Sequence, residues 1–191
     1  MSVVSFLLDV TEGAEFVFLA NGAIASSCWG TTDVKSAAYQ DAGNWVGVLF
    51  AVQAIGSVVW AAVIPWLSKM TSRKFAYSLS LVLGGIGFVS VMLFADKYLL
   101  FISYFLIGFA WAAMLAMPFT LLTNALQGYG HMGSYLGLFN GTICVPQIVA
   151  ALVGGLLLSM VGGSQVMMLV LAGVLLIIGA ACVFVIKDKK S

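Results

Sequence analysis

The most constraining feature of the sequence is a long stretch without charge, because no Asp, Glu, Lys or Arg occurs from Tyr98 to Ile186. A transmembrane helix needs about 20 mostly apolar residues, so this stretch is long enough for several crossings. Over the whole chain, 62% of the residues are hydrophobic and 8% are charged, whereas soluble domains are about 25% charged. The sequence therefore predicts an all-α integral membrane protein.

The apolar runs divide the chain into candidate spans. A helix that rises about 1.5 Å per residue crosses about 30 Å of hydrocarbon, and five runs are long enough, each bounded by charge, glycine or a polar cluster. They are predicted at residues 44–67, 75–95, 98–123, 134–160 and 165–186. A sixth run, about residues 16–28, is shorter and follows acidic residues, so it crosses only if polar residues enter the membrane. The expected fold is a single bundle of five to six helices over residues 1–191.

The basic residues predict the orientation of the bundle. One loop holds Lys69, Arg73 and Lys74, and the C-terminal tail holds Lys187, Lys189 and Lys190. Two helix hairpins separate these clusters, so both lie on one side, which the positive-inside rule makes cytoplasmic. The polar residues 29–43 are expected outside the hydrocarbon on the other side. We expect a multi-pass protein of the cell membrane, here the bacterial inner membrane, with a cytoplasmic C-terminus.

Small residues and prolines recur inside the apolar runs. Helices associate in lipid through small residues that let backbones approach closely, and two stripes have the required spacing of four residues. The stripes are Gly108, Ala112 and Ala116, and Gly133, Gly137 and Gly141. Pro118 and Pro146 each remove a backbone donor and predict kinks beside a cavity. These positions are therefore candidates for helix packing or gating.

Amides within the apolar runs predict an internal polar surface. Gln53 and Ser57 share one helix face, and Asn140 and Gln147 share another. Amides that faced lipid would be costly, so these side chains should point into the bundle or into a wet cavity.

Three stretches resemble a known family. They are GTTDVKSAAYQDAGNWVGVLFAV from Gly30, SKMTSRK from Ser68, and GFAWAAMLAMPFTLLTNAL from Gly108, which continues to MGSYLGLFNGTICVPQIVAALVGG. They are similar to the C-terminal half of major facilitator superfamily transporters of the sucrose-type glycoside:cation symporters. The resemblance implies the last five helices of twelve, and transport of a sugar with a coupling cation, expected to be a proton, by alternating access. The expected partners are lipid and either a missing N-terminal half or a second copy.

The resemblance directs the amides and one indole towards a substrate. The candidate contacts are Asn140, Gln147, Gln53, Trp111 and Asn124. Amides suit sugar hydroxyls because they both donate and accept hydrogen bonds, and an indole offers an apolar wall. The alternative is that the amides join helices and Trp111 packs or anchors. Arg73, in the basic loop, either takes part in gating or only sets topology.

Other function classes find little support in the sequence. There is no HExxH motif or Ser-His constellation, and the cysteines lack metal-ligand spacing, so we expect no enzyme activity, cofactor or metal. A net charge of +1 argues against nucleic-acid binding. The long spans hold no carboxylate, so a proton-coupling acid is expected in an N-terminal half. A non-transporting scaffold, a partner-binding subunit or an inactive truncated fragment are the alternatives.

Overall fold

The computed structural model describes residues 14–94, 96–126 and 132–183. Over these residues the chain is all-α, with six helices and no strand, as the sequence predicts. The helices are α1 (Ala14–Cys28), α2 (Ala37–Met70), α3 (Arg73–Leu93), α4 (Leu100–Ala125), α5 (Met132–Met160) and α6 (Gln165–Val183).

The lengths and apolar character of these helices identify the candidate membrane spans. Within the described residues, α2, α3, α4 and α6 are each long and apolar enough to cross a membrane. α5 adds a fifth span if its two parts, Gly133–Val149 and Leu152–Met160, count as one; they meet at 43°. The described part of α1 is 15 residues long, about 22 Å at about 1.5 Å per residue. With α5 counted as one span, these helices agree with the predicted bundle of five to six helices.

Helix α2 begins earlier than its predicted span. It starts at Ala37 rather than Asn44 because the Ser36 side chain accepts a hydrogen bond from the Tyr39 N–H at 3.2 Å, which caps the first turn. Its 34 residues correspond to about 51 Å, so its ends extend beyond about 30 Å of hydrocarbon. The predicted span ends at Ala95 and Ile186 lie outside the described residues.

Helix α3 lies at the centre of the packing and contacts α2, α4 and α6. The hydroxyls of Ser90 in α3 and Ser103 in α4 are 2.7 Å apart and share a hydrogen bond. Ser78 of α3 donates to the Ala180 carbonyl of α6 at 2.9 Å. Such bonds between helices contribute about 0.6 kcal/mol each on average inside a membrane. The core is therefore built from α2, α3, α4 and α6, while α1 packs between α2 and α6.

Helix α5 lies at the edge of the described bundle. Phe139 is its one buried side chain among those described, and it meets Phe119 of α4 with ring centroids 5.1 Å apart. No described atom lies within 4 Å of a Cβ built on Gly133, Gly137 or Gly141. The tight contact predicted from this glycine stripe is therefore not formed within the described bundle, because no described helix faces it.

Candidate functional site

An open cavity of ≈ 520 Å³ lies between α1, α2 and α4, and Val17 and Val58 of its lining are exposed. Its volume is within the range of about 300–1,000 Å³ that is typical of small-molecule sites. The lining consists of apolar or aromatic Val17, Phe50, Ala54, Val58 and Trp111, with polar Gln53 and Ser57. The α2 and α4 residues lie near the middle of their helices, so the cavity is at membrane depth.

Gln53 is the most buried polar group in the cavity wall. Its side chain is 6% exposed, and its Oε1 atom has no hydrogen-bond partner. A buried acceptor without a donor costs about 1–3 kcal/mol. Gln53 therefore combines a position in the cavity wall with a side-chain oxygen that accepts no hydrogen bond.

Ser57 lies one turn after Gln53 and joins two walls of the cavity. Its hydroxyl lies 2.9 Å from the Gly108 carbonyl oxygen of α4 and 3.0 Å from the Gln53 carbonyl oxygen, to which it donates. A Cβ built on Gly108 would overlap that same Gln53 carbonyl oxygen. A Cβ on Gly56 would lie 2.5 Å from the Phe105 carbonyl oxygen. The absence of side chains at these glycines lets the backbones of α2 and α4 approach closely beside the cavity.

A lysine and three aromatic side chains form a cluster near the N-terminal end of α2. We call Lys97, Trp29, Trp45 and Tyr98 the Lys97 cluster. The Lys97 ammonium lies 5.9 Å from the ring centre of Trp29, 5.2 Å from that of Trp45 and 5.3 Å from that of Tyr98. The Trp45 indole N–H donates to the Lys97 carbonyl at 3.2 Å. Cation–π attraction thus links the α1–α2 connection to the α3–α4 turn.

The structure brings two of the five predicted substrate residues together. Gln53 and Trp111 line the cavity. Asn140 is exposed on α5, and Gln147 is half-buried on the same helix; neither lines this cavity. The side chain of Asn124 lies outside the described part of the structure.

The predicted packing and gating residues have different surroundings. Gly108 forms the close contact with α2, whereas Pro118 is half-buried in α4, a helix that continues to Ala125. Arg73 is exposed at the first position of α3. The Pro146 side chain lies outside the described structure, and the bend of α5 falls after it, between Val149 and Leu152.

Three residues gained importance only from the structure. Phe50 is an unassigned apolar position in the sequence, and Ser57 was paired with Gln53 only by spacing; both line the cavity. Asn21 of α1 has a buried Oδ1 without a partner, and its side chain faces Gly43 of α2. An amide inside an apolar run was the available signal for Asn21.

The sequence profile of the Major Facilitator Superfamily matches residues 13–191. The chain belongs to this superfamily. Its apolar helices make it a multi-pass membrane protein of a transporter family. The superfamily match confirms the broader resemblance seen in the sequence, but it does not distinguish the sucrose-type subgroup.

Two curated proteins similar to this chain are named as riboflavin transporters. The riboflavin transporters RibJ of Trypanosoma cruzi and Trypanosoma brucei brucei are 32% and 31% identical to this chain over 90 residues. The aligned region is 47% of this chain in both cases, and 19% and 16% of the respective relatives. The match thus spans less than a fifth of either relative. No solved structure matched the chain.

Among the described residues, no group of three or more His, Cys, Asp or Glu side chains could hold a metal ion. The seven lining residues of the cavity are all uncharged. The arrangement can therefore hold a neutral solute by contact and hydrogen bonding.

Proposed function

We propose that this chain forms the solute-binding C-terminal half of a major facilitator transporter, which moves a small organic solute by alternating access. The observation that carries the proposal is the cavity at mid-membrane depth, with the buried and unpaired Oε1 of Gln53 in its wall. An unpaired polar group inside a membrane is costly and is a functional-site candidate. The N-terminal half supplies the opposite wall in this proposal.

A sugar or glycoside, transported together with a proton, is the solute that the sequence resemblance supports. The Gln53 amide has the capacity to donate to and accept from sugar hydroxyls. Trp111, which also lines the cavity, offers an apolar wall to a sugar ring.

Riboflavin is the second candidate solute, and two observations favour it. The relatives named above are riboflavin transporters. The cavity also places the aromatic side chains of Phe50 and Trp111 in a mostly apolar wall, which suits contact with a flat ring.

Uptake measurements test the transport function. The chain is co-expressed with a six-helix N-terminal half, reconstituted in lipid vesicles, and supplied with radiolabelled sucrose or riboflavin. We expect uptake of one solute, reduced about tenfold or more by Gln53→Leu, because one lost hydrogen bond to a buried amide has about that effect. The matched control is Gln40→Leu, which alters an exposed glutamine of α2 outside the cavity. Absence of uptake of either solute, with stable binding to an unrelated protein, would instead support a scaffold.

A further inference from the structure

We infer that the cavity selects an uncharged solute whose flat ring donates an N–H hydrogen bond to Gln53, rather than a sugar. This inference rests on the proposed function and names the solute class of the same site. It follows from which hydrogen-bonding atoms of the wall are already used and which are free.

The first step concerns the Ser57 hydroxyl. Its single proton is used between the carbonyl oxygens of Gly108 and Gln53, at 2.9 and 3.0 Å. A hydroxyl has one donor and two acceptor lone pairs. Towards the cavity, Ser57 therefore offers only acceptor capacity.

The second step concerns the Gln53 side chain. Its Oε1 is an acceptor without a donor, in a side chain that is 6% exposed. This Oε1 is enclosed in the structure, so it accepts from a solute only after the amide rotates, which the broad last torsion of a glutamine allows. A solute that donates hydrogen bonds would therefore satisfy the unused acceptor atoms of both polar residues.

The third step concerns the rest of the wall. Val17, Phe50, Ala54, Val58 and Trp111 offer apolar or aromatic surface, and each sugar hydroxyl left against such surface would lose its water partners. A flat ring instead meets Phe50 and Trp111 with its faces. Since all lining residues are neutral, this half of the site offers no counter-ion to a charged solute.

The test compares two probes that differ in one donor. Riboflavin has one N–H on its ring, at N3, and N3-methylriboflavin lacks it. Both are titrated into the full chain in lipid nanodiscs, with flavin fluorescence as the readout. We expect methylation to weaken binding about tenfold or more, as expected for a lost bond to a buried acceptor. In Gln53→Met, which keeps side-chain length without the acceptor, the two probes should bind alike.

The possible outcomes separate this inference from the proposed function. Equal binding of both probes by the native chain, or an unchanged methylation penalty in Gln53→Met, overturns the inference. Sucrose uptake without riboflavin uptake in the vesicle assay also overturns it, while the transport function stands. If neither solute is taken up with the N-terminal half present, the proposed function fails as well. Circular dichroism of Gln53→Met against the native chain verifies that the helices are retained.

Discussion

At the residue scale, Gly108 determines how closely α4 approaches α2. A Cβ at this position would overlap the carbonyl oxygen of Gln53, which is backbone and has little freedom to move. We predict that Gly108→Ala separates the two helices locally, lowers the free energy of unfolding by about 1–3 kcal/mol, as overpacking does, and weakens solute binding. Unfolding in detergent mixtures, followed by tryptophan fluorescence, measures the stability.

The matched control for this prediction is Gly137→Ala. Gly137 also lies in an apolar helix at four-residue spacing from other glycines, but no described atom is within 4 Å of its built Cβ. Alanine has a better helix propensity than glycine by about 0.8–1.0 kcal/mol, so this variant should be as stable as the native chain or more so. Equal loss of stability in both variants would contradict the assigned role of Gly108.

The candidate site shows which of its residues could be predicted from the sequence. Gln53 and Trp111 could be predicted because an amide and an indole in an apolar run are unusual and costly. Asn140 and Gln147 carry the same signal, yet they lie on α5 and do not line the cavity. The sequence places residues on a helix face but does not say which neighbour that face meets. Phe50 had no signal, because it resembles any other apolar residue of a span.

At the element scale, the Lys97 cluster links the α1–α2 connection to the α3–α4 turn. The ammonium lies between 5.2 and 5.9 Å from three ring centres. We predict that Lys97→Met lowers the free energy of unfolding by about 0.5–2 kcal/mol, the range of cation–π interactions, and raises hydrogen exchange in the α1–α2 connection. Hydrogen–deuterium exchange with mass spectrometry measures the second effect.

Two further variants isolate the charge at this cluster. Lys97→Arg keeps a cation over the rings and should restore most of the stability. Lys35→Met removes a lysine from the exposed α1–α2 connection and should leave stability and exchange unchanged. A Lys97→Met variant with native exchange in the connection would mean that the rings, and not the ammonium, hold it.

The helices themselves were largely predictable, since about 20 apolar residues between polar boundaries are a strong signal. The start of α2 was missed because its capped first turns are polar and extend beyond the hydrocarbon, where apolar content gives no information. Trp60 lies between helices, stacked on Phe109 with ring centroids 4.2 Å apart and donating to Ser80 at 2.8 Å. Such contacts depend on neighbours that one helix cannot specify.

At the scale of the whole molecule, the charges predict which end faces the cytoplasm. Thr71, between α2 and α3, and Val34, before α2, are both exposed and lie at opposite ends of α2. In a chain whose three cysteines are replaced by alanine, we predict that Val34→Cys reacts with an impermeant maleimide in intact cells. Thr71→Cys should react only after the cells are opened, because the helix ends on either side of it carry Lys69, Arg73 and Lys74. The reverse labelling would contradict the predicted orientation.

The proposed proton coupling is the second property that belongs to the whole molecule. The carboxylates whose side chains the structure describes, Asp33, Asp41 and Asp96, are all exposed at the end of the bundle opposite the α2–α3 connection. A coupling acid must alternate between the two sides from within the membrane, and such intramembrane groups are rare and functional. We therefore predict that replacing all three by Asn leaves the stimulation of uptake by low external pH unchanged, in vesicles that also contain the N-terminal half.

The control measures uptake of the same solute at a fixed pH, which separates a loss of coupling from a loss of binding. Loss of the pH stimulation at unchanged uptake would place the coupling carboxylate at the exposed end of this half. Proton-coupled uptake by this chain alone, surviving neutralisation of Asp9, Glu12 and Glu15 as well as Asp33 and Asp41, would contradict a coupling acid in the N-terminal half. If the stimulation persists only when that half is present, one bundle contributes the cavity with Gln53 and the other contributes the acid. Neither half would then be sufficient for symport, because binding and coupling would reside on different bundles.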